Sequence, residues 1–188
     1  GAEAAQRILQ GAGVYDVRVE HIAGNLTDHF DPRTKVLRLS DATYSSTSVA
    51  AMGVAAHECG HAIQHSRGYA PLSIRTSLVP VVNIGSTLGI PIIFLGVLLS
   101  YNQVLIQIGI WAFSLAVLFQ LITLPVEFNA STRAVSKLEQ FGIVTNEERR
   151  GSQKVLRAAA FTYVAAAASS ILQLLRLIIL FGGGKSRD

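Results

Sequence analysis

Residues 76–126 read TSLVPVVNIGSTLGIPIIFLGVLLSYNQVLIQIGIWAFSLAVLFQLITLPV, and this stretch holds no Asp, Glu, Lys or Arg; charge resumes at Arg75 on one side and Glu127 on the other. Roughly 20 apolar residues cross a bilayer once, and the run is well over twice that long. It therefore suits two spans joined by a tight turn. The spans are Leu78–Ser100 and Val104–Val126, and Tyr101-Asn102-Gln103 is the polar break. Each matches the roughly 30 Å of bilayer hydrocarbon at about 1.5 Å per helical residue. Pro80, Pro91 and the glycines would weaken a helix in water but are tolerated inside a membrane. A third span is expected over Ala158–Phe181, where AAAFTYVAAAASS (158–170) offers small residues for close helix packing. Arg176 interrupts its far end, where it would snorkel or pair. The competing reading is three buried helices of a soluble protein, but they would overfill the core of a chain this size. The sequence describes an integral membrane protein.

The rest of the composition fits that frame. The chain has 188 residues, of which 50% are hydrophobic and only 15% charged, with a mean hydropathy of +0.41. That apolar content excludes a disordered chain, and a single cysteine, Cys59, excludes a disulfide-stapled module. The net charge of +4 is placed unevenly. Arg67 and Arg75 precede the first span, while Arg133, Lys137, Arg149, Arg150, Lys154 and Arg157 lie between the second and third; the turn at 101–103 has none. By the positive-inside rule those two basic regions are cytoplasmic and the turn is outside. Lys185 and Arg187 run mildly against this. The basic balance is thus a topology signal, and no nucleic-acid partner is expected. The first residue is Gly1, not Met, which reads as a processed or trimmed fragment.

The polar segments predict a small α+β unit. Residues 2–10 (AEAAQRILQ) form an amphipathic helix stopped by Gly11-Ala12-Gly13. Tyr15–Ile22 alternates, with Tyr15, Val17, Val19 and His21 on one face, which is strand periodicity. Asn25–Phe30 and Lys35–Ser40 are further strands around the turn sequence Asp31-Pro32-Arg33-Thr34. Ser45–Ser48 supplies N-cap candidates for a helix over about 48 to 66, and another helical stretch runs over Glu127–Gln140. The expected organisation is a cytoplasmic α+β unit at 1–76, a transmembrane hairpin at 77–126, a cytoplasmic helical segment at 127–157, a transmembrane helix at 158–182 and a flexible tail at 183–188.

The chemistry sits on the 48–66 helix, which carries His57-Glu58-Cys59-Gly60-His61. Histidines at i and i+4 share one helix face, so both imidazoles can reach one Zn²⁺. Glu58, beside the first of them, can act on a water without being a ligand. The bland alternative is a core or surface histidine pair; the helical context and apolar flanks favour zinc. A catalytic zinc takes three protein ligands and keeps an open position. His65 lies about 12 Å along the helix axis from His57, too far to share an ion. Cys59 points off the His57/His61 face and reads as a packing residue. After Arg67 the next carboxylate is Glu127, which a hairpin would return to the side the chain left. It is the candidate third ligand, or else an interfacial acid following Pro125. Glu139, Glu147 and Glu148 read as surface residues.

HECGHAIQH (57–65), followed after the hydrophobic hairpin by LPVEFNAS (124–131), resembles the YugP-type membrane zinc metallopeptidases and, more distantly, the HtpX-type membrane proteases. Leu26-Thr27-Asp28-His29-Phe30-Asp31-Pro32 and the stretch from Arg75 to Val155 resemble the same family, so the similarity covers nearly the whole chain. It implies a zincin-like α/β unit with an HExxH helix and one Zn²⁺ on His57, His61 and Glu127. It also implies Glu58 as catalytic base, a further span upstream of Gly1 and residence in a bacterial-type cell membrane. The HtpX-type pattern has an aspartate four residues after the ligand glutamate, where this chain has Ser131; Asn129, Ser131 or a group elsewhere is left to orient the ligands. His29, His65, Tyr44 and Tyr69 are undiscriminated candidates for stabilising an oxyanion.

The expected function is hydrolysis of peptide bonds in membrane or membrane-proximal proteins, by a water that zinc activates and Glu58 deprotonates. A strand from residues 15–40 could pair with an extended substrate peptide. A catalytically silent zinc-holding scaffold is the alternative, and an intact Glu58 argues against it. A channel or transporter would carry buried charges in its spans, which the long uncharged run lacks.

Overall fold

The structure is a computed structural model and describes residues 1–183; the tail expected at 183–188 lies, beyond Gly183, outside the described residues. The chain is mostly helical, with a small three-stranded sheet. It divides into two compact units, Gly1–Ser73 with Pro125–Phe161, and Ile74–Leu124 with the segment from Thr162 on.

The first unit is built around its central strand and one small-residue helix. Helix α1 (Ala2–Gly11) buries Ala4, Ala5, Ile8 and Leu9 along one stripe. The helix is closed by Ala12 and by Gly13 at φ 76°, a left-handed conformation that glycine adopts without cost. Strands β1 (Arg18–His21), β2 (His29–Asp31) and β3 (Val36–Leu39) form a sheet in the order β1-β3-β2. β3 pairs in parallel with β1 (Arg18 opposite Val36) and antiparallel with β2 (His29 opposite Arg38). Val36, Leu37 and Leu39 are buried, and Leu37 and Leu39 pack in one core with Ile8 and Leu9 of α1. The outer strands are shorter than alternation alone predicts: Tyr15 is 80% exposed and lies outside β1, and Leu26 is 95% exposed and lies outside β2. Asp31 closes the turn to β3, its carboxylate accepting from the Arg33 backbone N–H at 2.9 Å and the Thr34 hydroxyl at 2.7 Å. A short helix α2 (Asp41–Tyr44) follows, held by Asp28, which accepts from the Ser40 N–H and the Ser40 hydroxyl, both at 2.8 Å.

Helix α3 (Val49–Ser66) begins where the Ser/Thr cluster predicts, with the Ser48 hydroxyl accepting the Ala51 N–H at 3.2 Å. Its buried face is nearly all small: Ala51, Gly53, Ala55, Ala56, Cys59, Gly60 and Ala62. Such a face lets neighbouring backbones come close. A Cβ placed on Gly60 would meet the Ala130 carbonyl oxygen at 2.6 Å, so the next helix to be described packs backbone against backbone there.

Among the described residues three helices are long and apolar enough to cross a membrane: α4 (Ala70–Leu98), α5 (Gln103–Gln140) and α6 (Asn146–Phe181). Two run further than their apolar stretches. The helical segment expected separately at 127–140 is continuous with the second span, and α6 begins twelve residues ahead of the expected third span. The reason is local. Pro125 removes one backbone donor without supplying a stop, and helix-ending chemistry appears only at Gly142 (φ 58°). α6 starts in a reciprocal cap: Thr145 Oγ1 accepts the Glu148 N–H at 3.3 Å, and the Glu148 carboxylate accepts the Thr145 N–H at 2.8 Å.

In the second unit, glycines again set the packing. A Cβ on Gly85 would lie 2.7 Å from the Ala112 carbonyl oxygen, and one on Gly109 would lie 2.6 Å from that of Gly89. The helices meet through small residues, as membrane helices do. The turn between α4 and α5 places Ser100 and Tyr101 at φ 56° and 59°, and the Asn102 side chain caps α5 by accepting the Val104 and Leu105 N–H groups at 3.1 and 3.2 Å. Trp111, Phe94 and Ile179 are exposed on this unit, as lipid-facing side chains would be.

Candidate metal centre

α3 supplies two imidazoles one turn apart, with ring centroids 4.8 Å from each other and planes nearly perpendicular. α5 supplies the carboxylate. Glu127 Oε2 lies 3.1 Å from His57 Nε2 and 3.7 Å from His61 Nε2. Its side chain is 3% exposed, against 15% and 12% for the two histidines. The three ligand atoms all fall within 4.8 Å of one another.

What the far side of each ring meets decides which nitrogen faces the centre. Ser131 Oγ lies 3.1 Å from His57 Nδ1, and Gln64 Oε1 lies 3.1 Å from His61 Nδ1. The Gln64 amide has only one workable orientation. Its NH₂ end donates to the Val126 carbonyl at 2.8 Å and to Asn129 Oδ1 at 3.0 Å, so its oxygen faces His61 and accepts from Nδ1–H. Arg133 Nε continues the chain, donating to Asn129 Oδ1 at 2.7 Å. With the Nδ1 sides so occupied, both Nε2 atoms face the buried Glu127 carboxylate. Two imidazole nitrogens and an anion so arranged can hold one shared cation.

The donor set passes the test for zinc. Ligands about 2.0–2.2 Å from a tetrahedral ion stand roughly 3.3 Å apart, and the observed 3.1 and 3.7 Å bracket that spacing. Two imidazoles, one carboxylate and no thiolate make a three-ligand set of the kind that catalytic zinc uses. Burial pushes the His61 imidazolium down, but hydrogen bonding to Glu127, the charges of Glu58 and Glu127 and the Gln64 amide outweigh it, and its pKa is raised on balance. These groups make the site one that attracts positive charge.

His57 and His61 share one helix face as their spacing predicts, Glu127 meets them as the returning hairpin predicts, and Glu58 is the next residue after His57 on α3, half-buried. Cys59 faces away into the core; its thiol meets the Ala5 carbonyl at 3.5 Å, and burial pushes its pKa well up. His65 is exposed, with its ring 5.8 Å from that of Phe30. His29 is engaged by the Thr27 carbonyl and Arg38, and Tyr44 by the ring of His21. Of the orienting candidates, Ser131 contacts a metal-facing histidine directly, whereas Asn129 acts through Gln64. Gln64 itself was not expected. A glutamine three residues after His61, within reach on the same helix face, is the sequence signal that points to it.

A protein-family model described as "Putative neutral zinc metallopeptidase" matches residues 1–182. The chain is also 50% identical over 188 residues to "Putative membrane protease YugP" of Bacillus subtilis (strain 168), an alignment covering 100% of this chain and 83% of that protein. No solved structure matches.

Proposed function

The chain belongs to the neutral zinc metallopeptidase family, and from that premise we propose that it is a zinc-dependent membrane endopeptidase of the HExxH-plus-glutamate, gluzincin-like type. The observation that carries this reading is the convergence of His57 Nε2, His61 Nε2 and the Glu127 carboxylate, with both rings oriented from behind. Zn²⁺ on these three groups would supply Lewis-acid chemistry, lowering the pKa of a water toward about 7 and polarising a carbonyl.

The chain's own residues do the rest. Glu58 adjoins His57 on α3 and remains half-buried, so its carboxylate can hold a proton taken from water and pass it to the departing amine nitrogen. One water is consumed, the C–N bond breaks, and a carboxylate and an amine leave. Ser131 and Gln64 keep the imidazoles from turning as charge moves.

The substrate in this proposal is an extended protein or peptide segment at or in the bilayer. β2 is an edge strand, and its Phe30 ring lies near His65 of α3. A peptide adding to that edge would run beside the metal helix. The basic residues flanking the spans support a site on the cytoplasmic side, in a bacterial-type cell membrane, and no nucleic acid is involved.

The decisive experiment compares metal content and cleavage of a protein substrate in three purified forms. Glu58→Gln should keep its zinc and lose cleavage, and Glu127→Ala should lose the zinc. Retained, chelator-sensitive cleavage in Glu58→Gln removes the assigned base. Undiminished zinc in Glu127→Ala moves the third ligand elsewhere. A wild type that holds zinc yet cleaves nothing points to the silent scaffold.

A further inference from the structure

The hydrogen-bond chain behind His61 ends in a residue that cannot reverse its direction. Val126, Asn129 and Arg133 follow one another on α5 at steps of three and four, so they form one stripe of that helix. Gln64 of α3 is wholly buried against it. Arg133 Nε donates to Asn129 Oδ1 at 2.7 Å. The Gln64 NH₂ donates to the same oxygen at 3.0 Å and to the Val126 carbonyl at 2.8 Å. That leaves the Gln64 oxygen facing His61 Nδ1, at 3.1 Å.

The members of this chain differ in their freedom to turn. An amide can exchange its oxygen for its NH₂, and a neutral imidazole can carry its proton on either nitrogen. A guanidinium only donates and stays charged. Turning Asn129 over would set its NH₂ against the Arg133 and Gln64 donors. Turning Gln64 over would set its oxygen against those of Val126 and Asn129, and its NH₂ against His61 Nδ1. The ring proton would then belong on Nε2, the atom 3.7 Å from Glu127 Oε2, and a protonated nitrogen cannot ligate a metal. The Val126 carbonyl opposes that reversal through one Gln64 hydrogen. Asn129 opposes it through the other, and Arg133 holds Asn129.

We propose that Arg133 is a positioning residue of the metal centre, acting in series through Asn129 and Gln64 to keep His61 Nε2 open to the metal. This rests on the zinc reading above and adds a residue that touches none of the three ligands.

The test uses the full chain in phosphatidylcholine nanodiscs, with zinc affinity read by chelator competition. Arg133→Met and Asn129→Leu should each weaken zinc about tenfold, the low end of the effect of groups that orient a ligand. Arg133→Lys, which likewise can only donate, should stay within about twofold of wild type. Arg7→Met removes an exposed guanidinium bond to the Phe141 carbonyl in the same compact unit and should change nothing. Because the residues act in series, the double variant should bind zinc as Asn129→Leu does. Losses that add reveal two independent packing defects and overturn the inference. So does a loss that Arg133→Lys fails to restore, or unchanged affinity in both single variants.

A spectroscopic readout follows the ring itself. With Co²⁺ in place of zinc, paramagnetic proton NMR should show an exchangeable His61 Nδ1–H signal, identified by its loss in Gln64→Leu. Its exchange with water should quicken in Arg133→Met and Asn129→Leu and stay slow in Arg133→Lys and Arg7→Met; equal exchange in all four refutes the series. None of these measurements needs cleavage. If they behave as stated while wild type cleaves nothing, the positioning role stands and the endopeptidase reading falls. A wild type that takes up neither metal overturns the inference together with the metal centre.

Discussion

Adding one methyl group at Gly60 tests how the metal centre is assembled. Gly60 lies inside the HECGH motif, and a Cβ there would stand 2.6 Å from the Ala130 carbonyl oxygen, 3.0 Å from its Cα and 3.1 Å from its carbonyl carbon. All three atoms are backbone, so no side chain can swing aside. Ordinary contact begins near 3.4 Å, which requires α3 and α5 to separate by about 0.8 Å. Glu127 lies one turn before Ala130 on α5 and would be carried with it. Metal–ligand distances tolerate only about 0.2 Å.

Gly60→Ala should therefore lower zinc affinity by about 10- to 100-fold, the range seen when ligand positioning is disturbed, with about a 100-fold loss in kcat/KM. Stability should respond less. Overpacking costs about 1–3 kcal/mol, while replacing a helical glycine by alanine returns about 1 kcal/mol. Chelator competition is thus a sharper assay than thermal unfolding. Gly53→Ala is the control on the same helix, because its Cβ would meet Ser152 side-chain carbon at 3.5 Å, an ordinary contact. It should bind zinc normally. Wild-type zinc affinity and activity in Gly60→Ala would refute the claim that this close approach positions Glu127.

Two further outcomes follow from the surroundings of the site. Gln64→Leu removes the acceptor for His61 Nδ1–H and the donor to Val126 and Asn129; it should weaken zinc binding about 10- to 100-fold and cost about 1–3 kcal/mol, read by chelator competition and denaturant unfolding. Cys59, buried and with its thiol pKa pushed well up by burial, should resist a thiol reagent at pH 8 in the folded protein and react on unfolding; rapid labelling of the native chain would contradict its placement.

The regions that proved legible were those governed by local pattern. An uncharged stretch from 76 to 126 carries its own membrane preference, because transfer free energy accumulates residue by residue. Two histidines four apart share a helix face wherever that helix forms. Strand limits were less legible: Tyr15 alternates correctly with Val17 and Val19 yet lies outside β1, because ladder partners on β3 are available only from Arg18. Nor did apolar length mark the ends of α5 and α6, since a helix continues through polar sequence until a capping signal stops it.

The sequence by itself determined the candidate spans, the histidine pair on one helix face and Glu127 as the carboxylate to be tested, since composition marks the first, four-residue spacing the second and the return of the uncharged hairpin the third. Only the tertiary structure decided that Gln64 and Ser131 hold the two rings, that β3 is central with β2 on a free edge, and that Gly60 lets α5 close on α3. The contacts of Gln64 with Val126, of Ser131 with His57 and of Gly60 with Ala130 join residues some 60 to 75 positions apart at hydrogen-bond and van der Waals distance. Contacts of that kind are short-ranged in space, and no periodicity along the chain encodes them.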